Sequence, residues 1–108
     1  MYRMNTSISA PEKLKIEKEI KKLSKILNKK GLEKLLLVSE VELFNINLKK
    51  LEDEMDAVKD NSFSYVYNFK IYKKMHTQKI KKEDKIESLS VHIMTIREMI
   101  ARMEKMIN

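Results

Sequence analysis

The sequence predicts an all-α fold, a long antiparallel coiled-coil helical hairpin. Hydrophobic residues make up 43% of the chain and charged residues 36%, and one glycine (Gly31) and one proline (Pro11) leave little turn chemistry, which favours a few long helices. Apolar residues also recur at alternating spacings of four and three in two runs of equal length. At 108 residues the chain has the size of one small domain. We expect a flexible N-terminal tail over residues 1–8 and a single helical domain over residues 9–108.

The first helix has a clear start signal. Ser9 is the predicted N-cap, with Glu12 three residues later as in a capping box and Pro11 in the tolerant first turn. From there the apolar spacing continues without interruption, and eleven of its thirteen positions are apolar, which indicates a coiled-coil seam. The positions of this first register are 16, 20, 23, 27, 30, 34, 37, 41, 44, 48, 51, 55 and 58.

Residues 59–64 gather turn and cap residues, and a second register follows them. If the chain reverses at 60–64, every seam position of the first run meets one of the second, for example Leu37 with Ile86 and Leu27 with Ile96. Polar residues in the seam, such as Lys82, are expected to set this register. The positions of the second register are 65, 68, 72, 75, 79, 82, 86, 89, 93, 96, 100, 103 and 107.

Two features leave alternatives open. With Leu27 and Leu32 placed for a hydrophobic contact, Gly31 fits a Schellman stop, which would break the first helix and give a three-helix bundle. The heptad phase, however, continues through Gly31. Residues 63–71 are rich in aromatic and β-branched types and partly alternate, so a short strand is the other alternative. Since neither glycine nor proline follows, we expect residues 63–107 to form mostly one helix.

Several kinds of chemistry lack the residues they need. Without cysteine, the chain has no disulfide, thiolate zinc site or cysteine nucleophile. His76 and His92 would lie about 24 Å apart on one helix, too far to share a metal. The carboxylates of residues 52–56 have no pocket or partner base, and no phosphate-binding loop is present. We therefore expect no enzyme, no cofactor and no metal site.

The formal net charge of +7 raises the alternative of a basic, nucleic-acid-binding helical protein. The excess lies in residues 1–31 and 92–108, whereas the lysines of residues 70–85 would face the acidic residues 40–56 of the other helix. This internal neutralisation argues against nucleic acid as the main partner. No apolar run is long enough for a signal peptide or a membrane span, so we expect a cytoplasmic protein without membrane contact.

Outside the seam, each predicted helix carries further apolar residues. Exposed apolar patches of this extent are rare on soluble monomers, and methionine-rich faces often adapt to partners. The sequence therefore predicts a small protein-protein interaction protein, such as an adaptor, assembly factor or chaperone, that binds a protein partner or forms a homodimer. The candidate interface residues are Leu32, Leu36, Leu43, Ile46, Phe69, Ile80, Val91, Met94, Met99 and Met106.

In overall shape the predicted hairpin resembles the helical-hairpin proteins of bacterial export systems, including stalk and chaperone families. The resemblance is one of architecture, and no motif residue carries it. It implies a further alternative function, a coiled-coil stalk or chaperone component of a bacterial secretion apparatus.

Overall fold

The structure, a computed structural model, describes residues 8–58 and 62–108. It contains two helices, α1 (Ala10–Asp56) and α2 (Phe63–Ile107), and the described residues form no strand. The chain is an all-α, antiparallel coiled-coil helical hairpin, as the heptads predict. Residues 1–7 of the predicted tail and residues 59–61 of the predicted turn lie outside the described residues.

The first turn of α1 confirms the predicted capping box. The backbone N–H of Glu12 donates to Ser9 Oγ over 3.2 Å, and the backbone N–H of Ser9 donates to Glu12 Oε1 over 3.3 Å. The Ser9 hydroxyl donates to the same carboxylate oxygen over 2.7 Å. These hydrogen bonds, first that of the Ser9 hydroxyl and then that of its backbone N–H, stabilise the ionised carboxylate and hold the pKa of Glu12 below its ordinary value.

Gly31 does not end the first helix, so the three-helix bundle is wrong. α1 runs through this residue without a break, and a Cβ added there would meet no atom within 4 Å. One exposed glycine weakens a helix by only about 1 kcal/mol relative to alanine. The seam positions on both sides, Leu27 and Lys34 among them, remain half-buried against α2, and these contacts outweigh the local weakness.

The second helix begins after Ser62, whose Oγ accepts the backbone N–H of Tyr65 over 3.1 Å. Residues 63–71 are helical, so the short strand considered for them is wrong. The physical reason is the spacing of the apolar side chains. In a helix Tyr65 and Tyr72 share one face, where both are half-buried, whereas an isolated strand would have no partner for its hydrogen bonds. The prediction of one helix over residues 63–107 is confirmed.

Every predicted seam position is buried or half-buried, in both registers. The most buried side chains are six aliphatic residues with 5 to 9% of their surface exposed, and all six occupy seam positions. None of the described side chains is completely enclosed, because two helices can cover each other on one face only. The six residues are Leu23, Leu37, Leu48, Leu89, Ile93 and Ile96.

Contacts within the chain group its residues into two compact units. Unit 1 consists of Met1–Leu32 and Leu89–Asn108, and unit 2 of Glu33–Ser88. In unit 2, Lys82 Nζ donates to Glu40 Oε1 over 2.7 Å, within one residue of the pairing that the heptads predict. A second, longer ion pair joins Lys85 to Glu33 at 3.5 Å. The acidic stretch of α1 and the basic stretch of α2 thus neutralise each other there in part.

Candidate protein interaction surface

The outer face of α1 carries a run of exposed aliphatic side chains. Leu32, Leu35, Leu36, Leu43 and Ile46 each expose between 53 and 69% of their surface. Ser39 lies between them, and its hydroxyl donates to the backbone carbonyl of Leu35 over 3.2 Å. We call the set Leu32, Leu35, Leu36, Ser39, Leu43 and Ile46 the leucine face.

The spacing of these residues explains why they share a face. Successive helical residues differ by about 100° in direction, so steps of three, four and seven return to the same side. The seam residues Leu37 and Phe44 point towards α2 and are buried or half-buried. The leucine face points away from these seam residues. Leu36 and Leu43 each precede a seam residue by one position, which turns them by about 100° from it. Leu35 and Ser39 are turned by about 200° from Leu37.

Charged groups border the leucine face on both sides. Glu33 and Glu40 lie along one edge, and each is held by a lysine of α2. Glu42 lies along the other edge and is exposed. The face is therefore a narrow apolar stripe between carboxylates, the arrangement of an apolar centre with a polar rim that is typical of protein interfaces.

All ten candidate interface residues are exposed. Those of α1 form a continuous stripe. Those of α2 are interrupted, since Asp84 and Glu87 lie between Ile80 and Val91 and both are exposed. The structure thus brings Leu32, Leu36, Leu43 and Ile46 together and leaves the α2 residues scattered, and their role in an interface stays a prediction.

Sequence reasoning missed some exposed apolar residues. Leu35 belongs to the leucine face but was not among the predicted interface residues. Its exposure could have been predicted, because a residue two positions before seam residue Leu37 is turned by about 200° from it. Phe63, at the start of α2, is 85% exposed and stacks on Tyr67 with ring centroids 6.3 Å apart. Phe63 precedes Tyr65, the first position of the second register, so the heptads do not predict whether it is exposed.

A small cleft of about 230 Å³ adjoins the leucine face in unit 2. Lys82 forms one wall, where it bonds to Glu40 and its Nζ lies 5.8 Å from the centre of the Phe44 ring. Ligand pockets measure about 300 to 1,000 Å³. This cleft is smaller than a typical ligand pocket. Its lining residues are Glu40, Leu43, Phe44, Asn47 and Lys82.

A second depression, of about 520 Å³, lies in unit 1 between the start of α1 and the end of α2. Leu14 and Ile20 line it from α1 and Ile107 from α2, with charged side chains around them. No polar or charged side chain is buried anywhere in the described ranges.

The two histidines lie apart. His76 is half-buried and stacks on Tyr72, with ring centroids 6.0 Å apart and ring planes inclined by 19°, whereas His92 is exposed. Within residues 8–58 and 62–108, no group of three His, Cys, Asp or Glu side chains has the arrangement of a metal site.

Comparison with known proteins adds no assignment. No protein family, curated protein or solved structure matches the chain. Neither of the two helices has an apolar stretch that could span a membrane.

Proposed function

We propose that this chain is a helical protein-protein interaction protein that binds its partner through the leucine face. One observation carries the proposal: five large aliphatic side chains stand exposed on one side of α1, while the opposite side of the same helix is covered by α2. Each such side chain gains about 1.5 to 3 kcal/mol when it is fully buried. A helical face with this composition is therefore much more stable against a partner than in water.

Site-specific photo-crosslinking in cells that express the full chain tests this proposal. A benzophenone amino acid replaces Leu36 in one variant and Gln78, exposed on α2 and outside the leucine face, in a control variant. We expect irradiation to give a covalent protein adduct from position 36 and none from position 78. We also expect the adduct to disappear when Leu43→Ser is added. Circular dichroism of the purified variants checks that helix content is unchanged.

Two results would count against the leucine face. One is the absence of any adduct from position 36 or from an equivalent variant at position 43. The other is an adduct of equal yield from position 78, which would mean that contacts form over the surface without preference.

Nucleic-acid binding by unit 1 is the second candidate, and a charge imbalance favours it. The two segments of unit 1 contain twelve basic and five acidic residues. The three ion pairs found within residues 8–58 and 62–108 all lie in unit 2, so they do not offset this excess. Binding to duplex DNA through several of these lysines would weaken steeply with added salt. A measurable affinity with such a salt dependence would favour this candidate over the leucine face.

A further inference from the structure

We propose that the partner on the leucine face is a second copy of this chain, with the two α1 helices antiparallel and a twofold axis passing by Ser39. This inference rests on the proposed function and specifies its partner. It follows from the symmetry of the leucine face, from the residue at its centre and from the distribution of charge along α1.

The leucine face is nearly symmetric about Ser39. Leu32 and Ile46 lie seven residues before and after it, and Leu35 and Leu43 lie four residues before and after it. A twofold interface requires a patch that is complementary to itself, with residue i opposite j and j opposite i. In the antiparallel pairing, Leu32 of one copy faces Ile46 of the other and Leu35 faces Leu43.

One position departs from this symmetry. Leu36 lies three residues before Ser39, and Glu42 lies three residues after it. In the pairing, Leu36 of one copy covers the aliphatic part of the Glu42 side chain of the other. Glu42 lies at the edge of the face, so its carboxylate keeps access to water, as long charged side chains do at the rim of an apolar surface.

Ser39 suits the centre of such a contact. Its side chain is the smallest on the leucine face, so the two helix backbones approach closely where the axis passes. Its hydroxyl already donates to the Leu35 carbonyl over 3.2 Å. The Ser39 hydroxyl therefore keeps its acceptor when a second copy buries it. A buried donor without an acceptor would oppose association.

The charges of α1 select the antiparallel orientation. Residues 22–38 carry five basic and one acidic side chain, whereas residues 40–56 carry two basic and six acidic ones. These two segments have equal length and opposite net charge, +4 and −4, and the proposed axis lays each against the other. Lys82 of α2 already offsets Glu40, whereas Glu42 and Glu54 are exposed. A parallel pairing would place like charges side by side. Electrostatic complementarity of this kind sets register and excludes wrong arrangements.

Single-cysteine variants test the axis directly, because the protein contains no cysteine. A disulfide forms only when the two Cα atoms approach within about 7 Å. We expect Ser39→Cys to crosslink to itself rapidly under mild oxidation and Gln78→Cys, the control, to remain monomeric on the gel. A mixture of Leu35→Cys and Leu43→Cys chains should crosslink between the two variants faster than either variant does with itself.

Sedimentation of the unmodified full chain provides the second measurement. We expect a concentration-dependent species of twice 12.9 kDa. The double variant Leu36→Ser/Leu43→Ser should raise its dissociation constant at least about a hundredfold, since four leucines leave the interface per dimer. The matched control Phe63→Ser/Tyr67→Ser removes two exposed aromatic residues outside the leucine face and should leave the dissociation constant unchanged.

The outcomes separate this inference from the proposed function. A monomer at every concentration, together with a photo-crosslinked adduct of another protein at position 36, would leave the proposed function standing and overturn the second copy as partner. A dimer in which Gln78→Cys crosslinks as fast as Ser39→Cys would place the contact on another face and overturn the inference. A monomer with no adduct at position 36 would remove both.

Discussion

Ser9 and Ser62 begin α1 and α2 in the same way, each with a hydroxyl that accepts a backbone N–H three residues later. The first N–H groups of a helix have no acceptor within it, and these bonds satisfy one of them at each start. Only α1 adds the reciprocal carboxylate, Glu12, since Tyr65 occupies that position in α2. Ser9 could be predicted as the N-cap of α1 because Pro11 and Glu12 follow it. Residues 60–64 contain several possible N-cap residues, and the sequence does not show which of them begins α2.

Removal of the Ser9 cap should change the pKa of the Glu12 carboxyl group. We expect Ser9→Ala to destabilise the start of α1 by about 1 kcal/mol. The pKa of Glu12 should rise towards its ordinary value, since the hydrogen bond from the Ser9 hydroxyl is the main reason it is low. NMR titration of the Glu12 carboxyl measures this change. Ser64→Ala, an exposed serine in the first turn of α2, should leave it unaltered.

The pH dependence of this effect has a definite sign. A carboxyl whose pKa is lower in the folded state contributes stability above its unfolded pKa and loses it as the pH falls through the folded pKa. The difference in stability between the wild type and Ser9→Ala should therefore be largest near neutral pH and shrink in acid. A difference that grows in acid would contradict the capping geometry.

Among the helices, α1 shows how a strong periodic pattern overrides a local stop signal. Gly31, Leu27 and Leu32 together satisfy the sequence requirements of a helix end, yet the helix continues. A helix end at Gly31 would have turned the chain away from α2 and uncovered the seam between Leu89 and Ile107. Burial of that seam outweighs the small gain from a glycine cap, because each apolar layer is worth more than the cap.

We expect Gly31→Ala to stabilise the protein by about 1 kcal/mol. An alanine methyl group at this exposed helical position meets no atom within 4 Å and reduces the conformational freedom of the unfolded chain. Thermal melts followed by circular dichroism measure the change. The reverse substitution Ala101→Gly, at an exposed position of α2, serves as a control and should destabilise by a similar amount. A lower melting temperature for Gly31→Ala would show that the glycine is needed where it is.

The seam of α2 predicts a much larger effect at Ile93. Its side chain is 7% exposed, so Ile93→Asp places a carboxylate in an apolar layer without a partner and should destabilise by several kcal/mol. The adjacent substitution His92→Asp is the control, because His92 is exposed, and should change stability by no more than about 0.5 kcal/mol. Equal melting temperatures for the two variants would contradict the seam assignment.

At the scale of the whole molecule, the heptads predicted the fold almost completely. Seam residues such as Leu37 and Ile96 recur at the four-three spacing along each whole helix, and this favours two uninterrupted helices over shorter ones. The register between the helices could also be predicted, as the Lys82–Glu40 bond shows. The division into two units could not, since it depends on how contacts are distributed along helices that have the same pattern throughout.

The candidate site could be predicted only in part. Once the seam was known, the exposure of Leu36 and Leu43 followed from geometry alone, and the structure bears it out. The heptad pattern predicts which apolar side chains have no packing partner within the chain, but it does not predict which molecule packs against them. The symmetry about Ser39 and the distribution of charge along α1 address that question, and the symmetry becomes visible only after the leucine face has been placed on a continuous helix.

The pairing within unit 1 joins residues that are synthesised far apart in time. Leu23 is buried in the same unit as Ile93 and Ile96, which a ribosome adds much later. Unit 2 closes across a short connection, and contacts between residues close in the chain form first. We therefore expect the residues of unit 2 to pack before those of unit 1. Leu23 is made before residues 89–108 of its own unit, so its apolar side chain remains uncovered until that part of α2 has been synthesised.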